Sequence, residues 1–412
     1  MSAQDIYASP PSFRRRINSF VVLFFIGLIP LFAHAGGLGM APLVAIIGGM
    51  GWLAVTSYKE LKPSAPIIAL FAFLLWAALT SLWSPYETDG FLTNPIKLLI
   101  GVCLFLGVFQ AVKAAKSNKP LILRHLFWAI NILACGLIII DILSGYSLTF
   151  LVDPIGANED MNRKRGDAEM NIGHSVTILL LFFSVLVTSL VKTNKTGWAW
   201  SFLYFIGLTW AAYLAGLEVG ILTAIVVFIT LIAAKRAPVH VVRLTLLFVI
   251  ISILFAPLLQ WILPYLPTES LPLSWQHRVA MWDYTAQRIG EAPFWGHGFD
   301  AVRTFDDTMT LGVAESWRIV SLHPHNAGLH IWVETGLIGA SLASLTLFFI
   351  GRKAVDWAKK SSTLAMTISG FIIAVTIISS VTYGVWQDWW WASVIITTAF
   401  IYLCEQEEIH VK

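Results

Sequence analysis

Two histidines and an asparagine, in His323-Pro324-His325-Asn326, stand directly ahead of an apolar run that begins at Ala327. Pro324 disfavours helix for His323 and stiffens the approach. Asn326 is a good N-cap residue, and the apolar residues continue to Ile350, long enough to cross a bilayer. His325 is therefore expected just outside a helix N-terminus, at the membrane–water boundary. The positive end of the helix dipole disfavours imidazolium there and favours the neutral ring, which can accept a proton. The same helix end attracts anions. A base beside an anion site is suited to catalysis. The plainer alternative is that the two loop histidines only cap or bond locally.

The elements that must position these groups are membrane helices. The 412 residues are 57% hydrophobic and only 12% charged, against roughly a quarter charged in soluble domains. This excludes an ordinary soluble enzyme and fits an all-α polytopic membrane protein, with Trp and Phe enough for interfacial belts. Arg14, Arg15 and Arg16 precede an apolar run that no small-residue cleavage site closes, so no cleavable signal peptide is expected. Cys103, Cys135 and Cys404 are scattered and suggest neither a disulfide framework nor a zinc cluster. The basic residues are spread among loops, which argues against nucleic acid as a partner.

About twelve spans are long enough to cross a membrane: 19–35, 38–56, 65–83, 95–112, 121–143, 173–191, 197–214, 217–234, 242–263, 327–350, 364–385 and 389–403. No linker divides them, so residues 1–412 read as one membrane domain. With both termini in the cytoplasm, 19 of the 27 Lys and Arg residues fall on the cytoplasmic side, as the positive-inside rule requires. The remaining eight are Lys97, Arg163, Lys164, Arg165, Arg278, Arg288, Arg303 and Arg318. Apart from Lys97 they gather in two outer loops, 146–172 and 264–326. Long outer loops also tolerate any charge, so each cation has a bland reading beside a functional one.

The loop 264–326 carries structure of its own. Ser274 is expected to cap a helix over 275–289, with Trp275, Val279, Trp282, Ala286 and Ile289 as its apolar stripe. Such a helix could lie along the membrane surface and hold Arg278 at the bilayer edge. Gly296 and Gly298 in the following turn permit close backbone approach. Within the spans, Glu334 follows Asn326 by eight residues, on the same helix face and roughly 12 Å deeper. A carboxylate at that depth must be paired, neutral or facing a cavity. Glu218, near the outer start of its span, could orient a base or balance an arginine.

Arginine clamps a diphosphate bidentately without a metal. The substrate class that fits is a lipid carrier with a pyrophosphate head and a glycan. Neutral His325 would take the proton of an attacking sugar hydroxyl, and arginines would stabilise the departing lipid diphosphate. Asp306-Asp307 and Glu159-Asp160 are the acidic pairs that a metal-dependent route would use.

His325-Asn326, then nine residues, then Gly336 resembles the signature of the O-antigen ligase and O-antigen polymerase superfamily. The stretch from Ser274 to Gly298, with Arg278, Trp282, Pro293, Gly296 and Gly298, also resembles the family pattern. So does the Arg163/Arg165 stretch leading into Asn171. The resemblance covers the second half of the chain and the twelve-span layout. It implies a GT-C-like fold and metal-independent, inverting glycosyl transfer on the periplasmic face of the cell inner membrane. The donor would be an undecaprenyl-diphosphate-linked glycan and the acceptor lipid A-core or another glycan, among membrane lipids and without a cofactor. By the same resemblance His325 is catalytic, and Arg278 with Arg163 or Arg165 binds the diphosphate. Asn326, His323, Arg288, Arg318 and Glu218 complete the expected substrate contacts. Family members often carry a Ser-Arg pair near the start of span eight; here the stretch is Leu214-Ala215-Gly216-Leu217-Glu218, with no arginine. The His-Asn-x9-Gly spacing is the ligase form of the motif and favours ligase over polymerase. A twelve-span transporter is the alternative of another class.

Overall fold

The helices of the computed structural model follow the apolar runs. The structure describes residues 37–53, 55, 63–87, 94–115, 120–154, 156, 160–312 and 314–410. The expected span 19–35 lies outside the described residues, as does Glu159. Helices α1 (Met40–Leu53), α2 (Ala65–Thr80), α3 (Asn94–Ala115) and α4 (Pro120–Leu143) come first. A short α5 (Ser147–Val152) precedes α6 (Met161–Thr193), α7 (Gly197–Leu214), α8 (Glu218–Arg236) and α9 (Pro238–Leu254). Then come α10 (Leu273–Glu291), a hairpin of β1 (Thr308–Leu311) and β2 (Ala314–Arg318), α11 (Ala327–Lys360), α12 (Ser362–Val381) and α13 (Asp388–His410). Five described helices, α3, α6, α8, α11 and α12, are long and apolar enough to cross a membrane by themselves. The chain is a mostly helical, multi-pass membrane protein.

The core is organised on α6. Ile178, Leu179, Leu181, Phe182, Phe183 and Leu186 are fully buried on every side of it. A helix apolar all round belongs inside a bundle, and α7, α8 and α12 surround this one. Helix α11 packs between α2 and α9, and α10 lies across its first turns. The α12–α13 turn closes the same end.

Three expectations change. The run 242–263 is not one helix: α9 ends at Leu254 and the chain bends by 70° into 3-10 turns. Pro257 and Pro264 have no N–H to continue an α-helix. The stretch 146–172 is largely helical, because α5 and the first turns of α6 occupy it, so Arg163 and Arg165 stand on a helix. Helix α10 begins at Leu273 with Pro272 as its N-cap, which puts Ser274 inside its first turn. Val279, Ala286 and Ile289 form its buried stripe as expected, joined by Met281 and Thr285.

The fourth change matters most for the site. Helix α11 is broken at Gly336, whose φ of 64° and ψ of −166° are far from helical. In a membrane the groups freed by a break need protein partners, since there is no water to take their place. Here five of them find one. The amides of His297 and Gly298 donate to the Val333 and Glu334 carbonyls at 2.8 and 3.0 Å. Trp76 Nε1 donates to the Thr335 carbonyl at 2.8 Å. Below the break, Leu337 and Ile338 donate to Pro293 and Phe294 at 2.9 and 3.4 Å. The turn 293–298 is thus inserted into the helix. Glycine is required on both sides: a Cβ on Gly336 would lie 2.3 Å from the Phe294 carbonyl oxygen, and one on Gly296 2.3 Å from the Glu334 carbonyl carbon.

Candidate active site

The N-terminus of α11 forms as its sequence dictates. Asn326 is extended, and its Oδ1 accepts from the Leu329 amide at 3.0 Å, a conventional N-cap. His325, just before it, has φ of 51°, a left-handed conformation that costs a non-glycine residue about 1–3 kcal/mol. The surroundings hold it there. Trp282 Nε1, from α10, donates to the Pro324 carbonyl at 2.9 Å. The His325 amide donates to His323 Nδ1 at 3.3 Å, and His325 Nδ1 bonds the carbonyl of Thr382 at the end of α12.

That last bond decides the tautomer. A carbonyl only accepts, so Nδ1 carries the proton and Nε2 is the acceptor of the ring. Burial holds the His325 pKa below the ordinary 6.5; the Thr382 bond opposes this, and Arg278, His277 and His330 reinforce it. The ring is neutral at pH 7 with a proton-accepting Nε2.

Arg278 is half-buried on α10 and is one of the charges acting on His325. Its guanidinium lies 5.3 Å from the Trp275 ring centre, and Trp275 Nε1 donates to Glu218 Oε2 at 2.5 Å. Glu218, the first residue of α8, therefore fixes the tryptophan on which the arginine rests. Burial lowers the Arg278 pKa and Glu218 works against that. Among the described residues no carboxylate is hydrogen-bonded to Arg278, so its donors are uncommitted.

The remaining expected residues divide. The His323 ring centre is 4.3 Å from that of His325, and burial, with Arg303 nearby, holds its pKa far below the ordinary value. Arg288 is committed elsewhere: it bonds both Glu291 oxygens at 2.9–3.0 Å and covers the Phe305 ring at 4.6 Å. Ten residues along α10 put it about 15 Å from Arg278. Arg318 stitches the hairpin, with Nε on the Phe305 carbonyl at 3.0 Å. Arg163 and Arg165 are exposed on the first turns of α6, and Arg165 pairs with Glu169 at 3.3 Å. Neither is among the charges that act on His325.

Around this centre stand Glu334, whose pairing was expected from its depth in the helix, and several residues that the sequence did not disclose. Glu334 is fully buried and accepts from the Asp300 amide at 3.0 Å, the Val302 amide at 3.3 Å and Trp386 Nε1. The Val385 amide donates to His330 Nδ1 at 3.2 Å, which leaves the proton on Nε2, 3.3 Å from Glu334 Oε1. Thr382, Val385 and Trp386 all come from the α12–α13 turn, which the apolar run 364–385 concealed. The available signal was Gly384, where a Cβ would sit 2.9 Å from the His323 ring.

Fold and site together define a polytopic helical membrane protein with a neutral histidine and an uncommitted arginine gathered at one end of its bundle. Residues 201–344 match the family described as O-Antigen ligase. Two Rickettsia proteins named "Putative polysaccharide ligase" are similar: that of Rickettsia felis is 34% identical over 132 residues and that of Rickettsia prowazekii 35% over 129. Each match covers 31% of this chain and 31% of the relative, so the chain aligns with about a third of the length of these relatives. These findings support the O-antigen ligase superfamily for this chain. No solved structure matches it.

Proposed function

We propose that this protein is a glycosyltransferase of the bacterial inner membrane that moves a glycan from undecaprenyl diphosphate to an acceptor hydroxyl. The observation that carries the proposal is the pairing of His325, with Nε2 as proton acceptor, and Arg278, with uncommitted donors, over the start of α11. In the reaction, Nε2 takes the proton of the acceptor hydroxyl as its oxygen bonds the anomeric carbon. The bond from that carbon to the diphosphate oxygen breaks, and the electron pair leaves with the lipid diphosphate. Attack from the opposite face inverts the centre. Arg278, rather than a divalent ion, takes up the growing charge. Asn326 fixes the helix end, and Glu218 acts through Trp275 to place Arg278. Arg163 and Arg165 would meet the donor head as it enters; Arg288 and Arg318 serve the local fold.

The acceptor we favour is lipid A-core, which makes the enzyme an O-antigen ligase; the Rickettsia relatives' names and the family match support a ligase. The twelve-span topology with cytoplasmic termini rests on the distribution of Lys and Arg, and it places His325 on the periplasmic face. Transporters also use broken helices, to bind ions or substrates at the break. In α11 the turn 293–298 fills the break, which favours the enzyme reading. The test is purified protein in detergent with lipid-linked donor and core acceptor. A new glycosidic bond is expected; its absence with both core and lipid-linked repeat acceptors would overturn the proposal. Deleting the gene separates ligase from polymerase: a ligase defect leaves uncapped core with long lipid-linked chains, a polymerase defect single repeats.

A further inference from the structure

Beside His323 lies a cavity of about 260 Å³ with a different character. Four charged side chains line it: Lys97 from α3, Arg303 and Asp300 from the turn after α10, and Asp388 at the start of α13. Two cations face two carboxylates. Arg303 Nε donates to Asp300 Oδ1 at 2.9 Å, Asn94 Nδ2 donates to its Oδ2 at 2.6 Å, and Lys97 acts on Asp388. A diphosphate gains nothing from a wall whose charges cancel. A neutral molecule with many hydroxyls gains donors and acceptors alike.

Two further features point to a sugar. Trp386, packed on Phe299 at 4.8 Å, gives the wall an aromatic surface. Among the described residues, Gln387 has a polar end buried without a partner. Its carboxamide lies 3.4 Å from His323 Nε2. His323 Nδ1 accepts from the His325 amide, so in the neutral ring Nε2 bears the proton and calls for the carboxamide oxygen. The NH₂ group then turns into the buried space; with the amide reversed, Oε1 does so. Either orientation leaves one polar group of Gln387 for a ligand to satisfy.

We infer that this cavity is the subsite for the acceptor: an uncharged sugar ring held by Gln387, Asp388 and Lys97 against Trp386, offering its hydroxyl past His323 to His325. The inference rests on the glycosyl-transfer reading and divides the site in two. The donor diphosphate lies on the Arg278 side and the acceptor on the α13 side, with His325 between. Gln387 and Asp388 are specificity residues for the acceptor and not for the donor.

The experiment titrates delipidated core oligosaccharide, prepared from a strain lacking this gene, into full-length protein in detergent without donor. Wild type is expected to bind saturably. Gln387→Leu and Asp388→Asn should each weaken binding at least tenfold, and Arg278→Ala should leave it within twofold. In the transfer assay the first two variants should raise the acceptor KM and leave the donor KM unchanged. That unchanged value also shows them to be folded. Absent binding to wild type, wild-type binding by both cavity variants, or equal loss in Arg278→Ala overturns the inference. If wild type transfers sugar while the cavity variants behave normally, only the subsite falls; if wild type forms no glycosidic bond, the parent reading falls.

Discussion

Replacing Gly336 by alanine tests the most unusual contact in the molecule. The conformation at φ 64° and ψ −166° is comfortable only for glycine, and alanine there costs about 1–3 kcal/mol. The added Cβ would also lie 2.3 Å from the Phe294 oxygen, 2.4 Å from its carbonyl carbon and 2.6 Å from the Trp295 nitrogen. These are backbone atoms, so no rotamer change relieves the clash and the turn 293–298 must move away. Three good hydrogen bonds are then lost, those from His297, Gly298 and Leu337, at about 1 kcal/mol each. The sum is roughly 4–6 kcal/mol, larger than most single substitutions produce. Activity should fall too, because the same turn leads into Asp300 and Val302, whose amides hold Glu334. The assay is thermal unfolding in detergent alongside transfer, with Gly136→Ala as control; there a Cβ meets nothing within 4 Å. A Gly336→Ala protein that melts and transfers like wild type would refute the account of the break.

Other outcomes follow from the site. His325→Ala should lose about 10²–10⁴-fold in transfer with its melting temperature retained, as expected for removal of a general base. Since burial lowers the His325 pKa, kcat/KM should be flat around pH 7 and fall only as the pH drops through a value below 6.5; a profile still rising above pH 7 would contradict this. Arg278→Ala should raise the donor KM and not be rescued by excess magnesium, whereas rescue would favour a metal-dependent route. Trp386→Phe removes a donor from buried Glu334 and should cost about 1–3 kcal/mol of stability, read as a lower melting point even in protein whose His325 is intact.

What could be read from the sequence was what local chemistry fixes. Asn326 caps because its side chain reaches the third amide of the helix it starts, and the apolar stripe of α10 follows from helix periodicity. Trp275 and Trp282 were legible as membrane-edge residues, but not as donors to Glu218 and Pro324, partners 57 and 42 residues away. Arg278 and Arg288 look alike in sequence. Only the fold shows that Glu291 and Phe305 occupy the second while the first stays uncommitted. Gly336 was visible as a motif residue, yet its run of apolar neighbours read as an unbroken span. Hydropathy does not register one glycine or the distant turn that exploits it. The α12–α13 turn was hidden for the same reason.

The spacing between His325-Asn326 and Gly336 then has a mechanical meaning. Nine residues of helix span about 13.5 Å, and each one added or removed shifts the far end by about 1.5 Å and turns it by about 100°. Both ends of this short segment are tied to the same external piece of chain. Trp282 of α10 grips Pro324 at the top, and the turn directly after α10 enters the break at the bottom. Helix α10 and the first turns of α11 therefore brace each other as two rods joined at both ends, and Arg278 rides on one rod while His325 sits at the tip of the other. Changing the count by one residue would swing Glu334 away from the Asp300 and Val302 amides even if every side chain were kept. The motif thus specifies a length and a rotation as much as a set of chemical groups, because the proposed transfer requires proton acceptor and cation at a fixed separation.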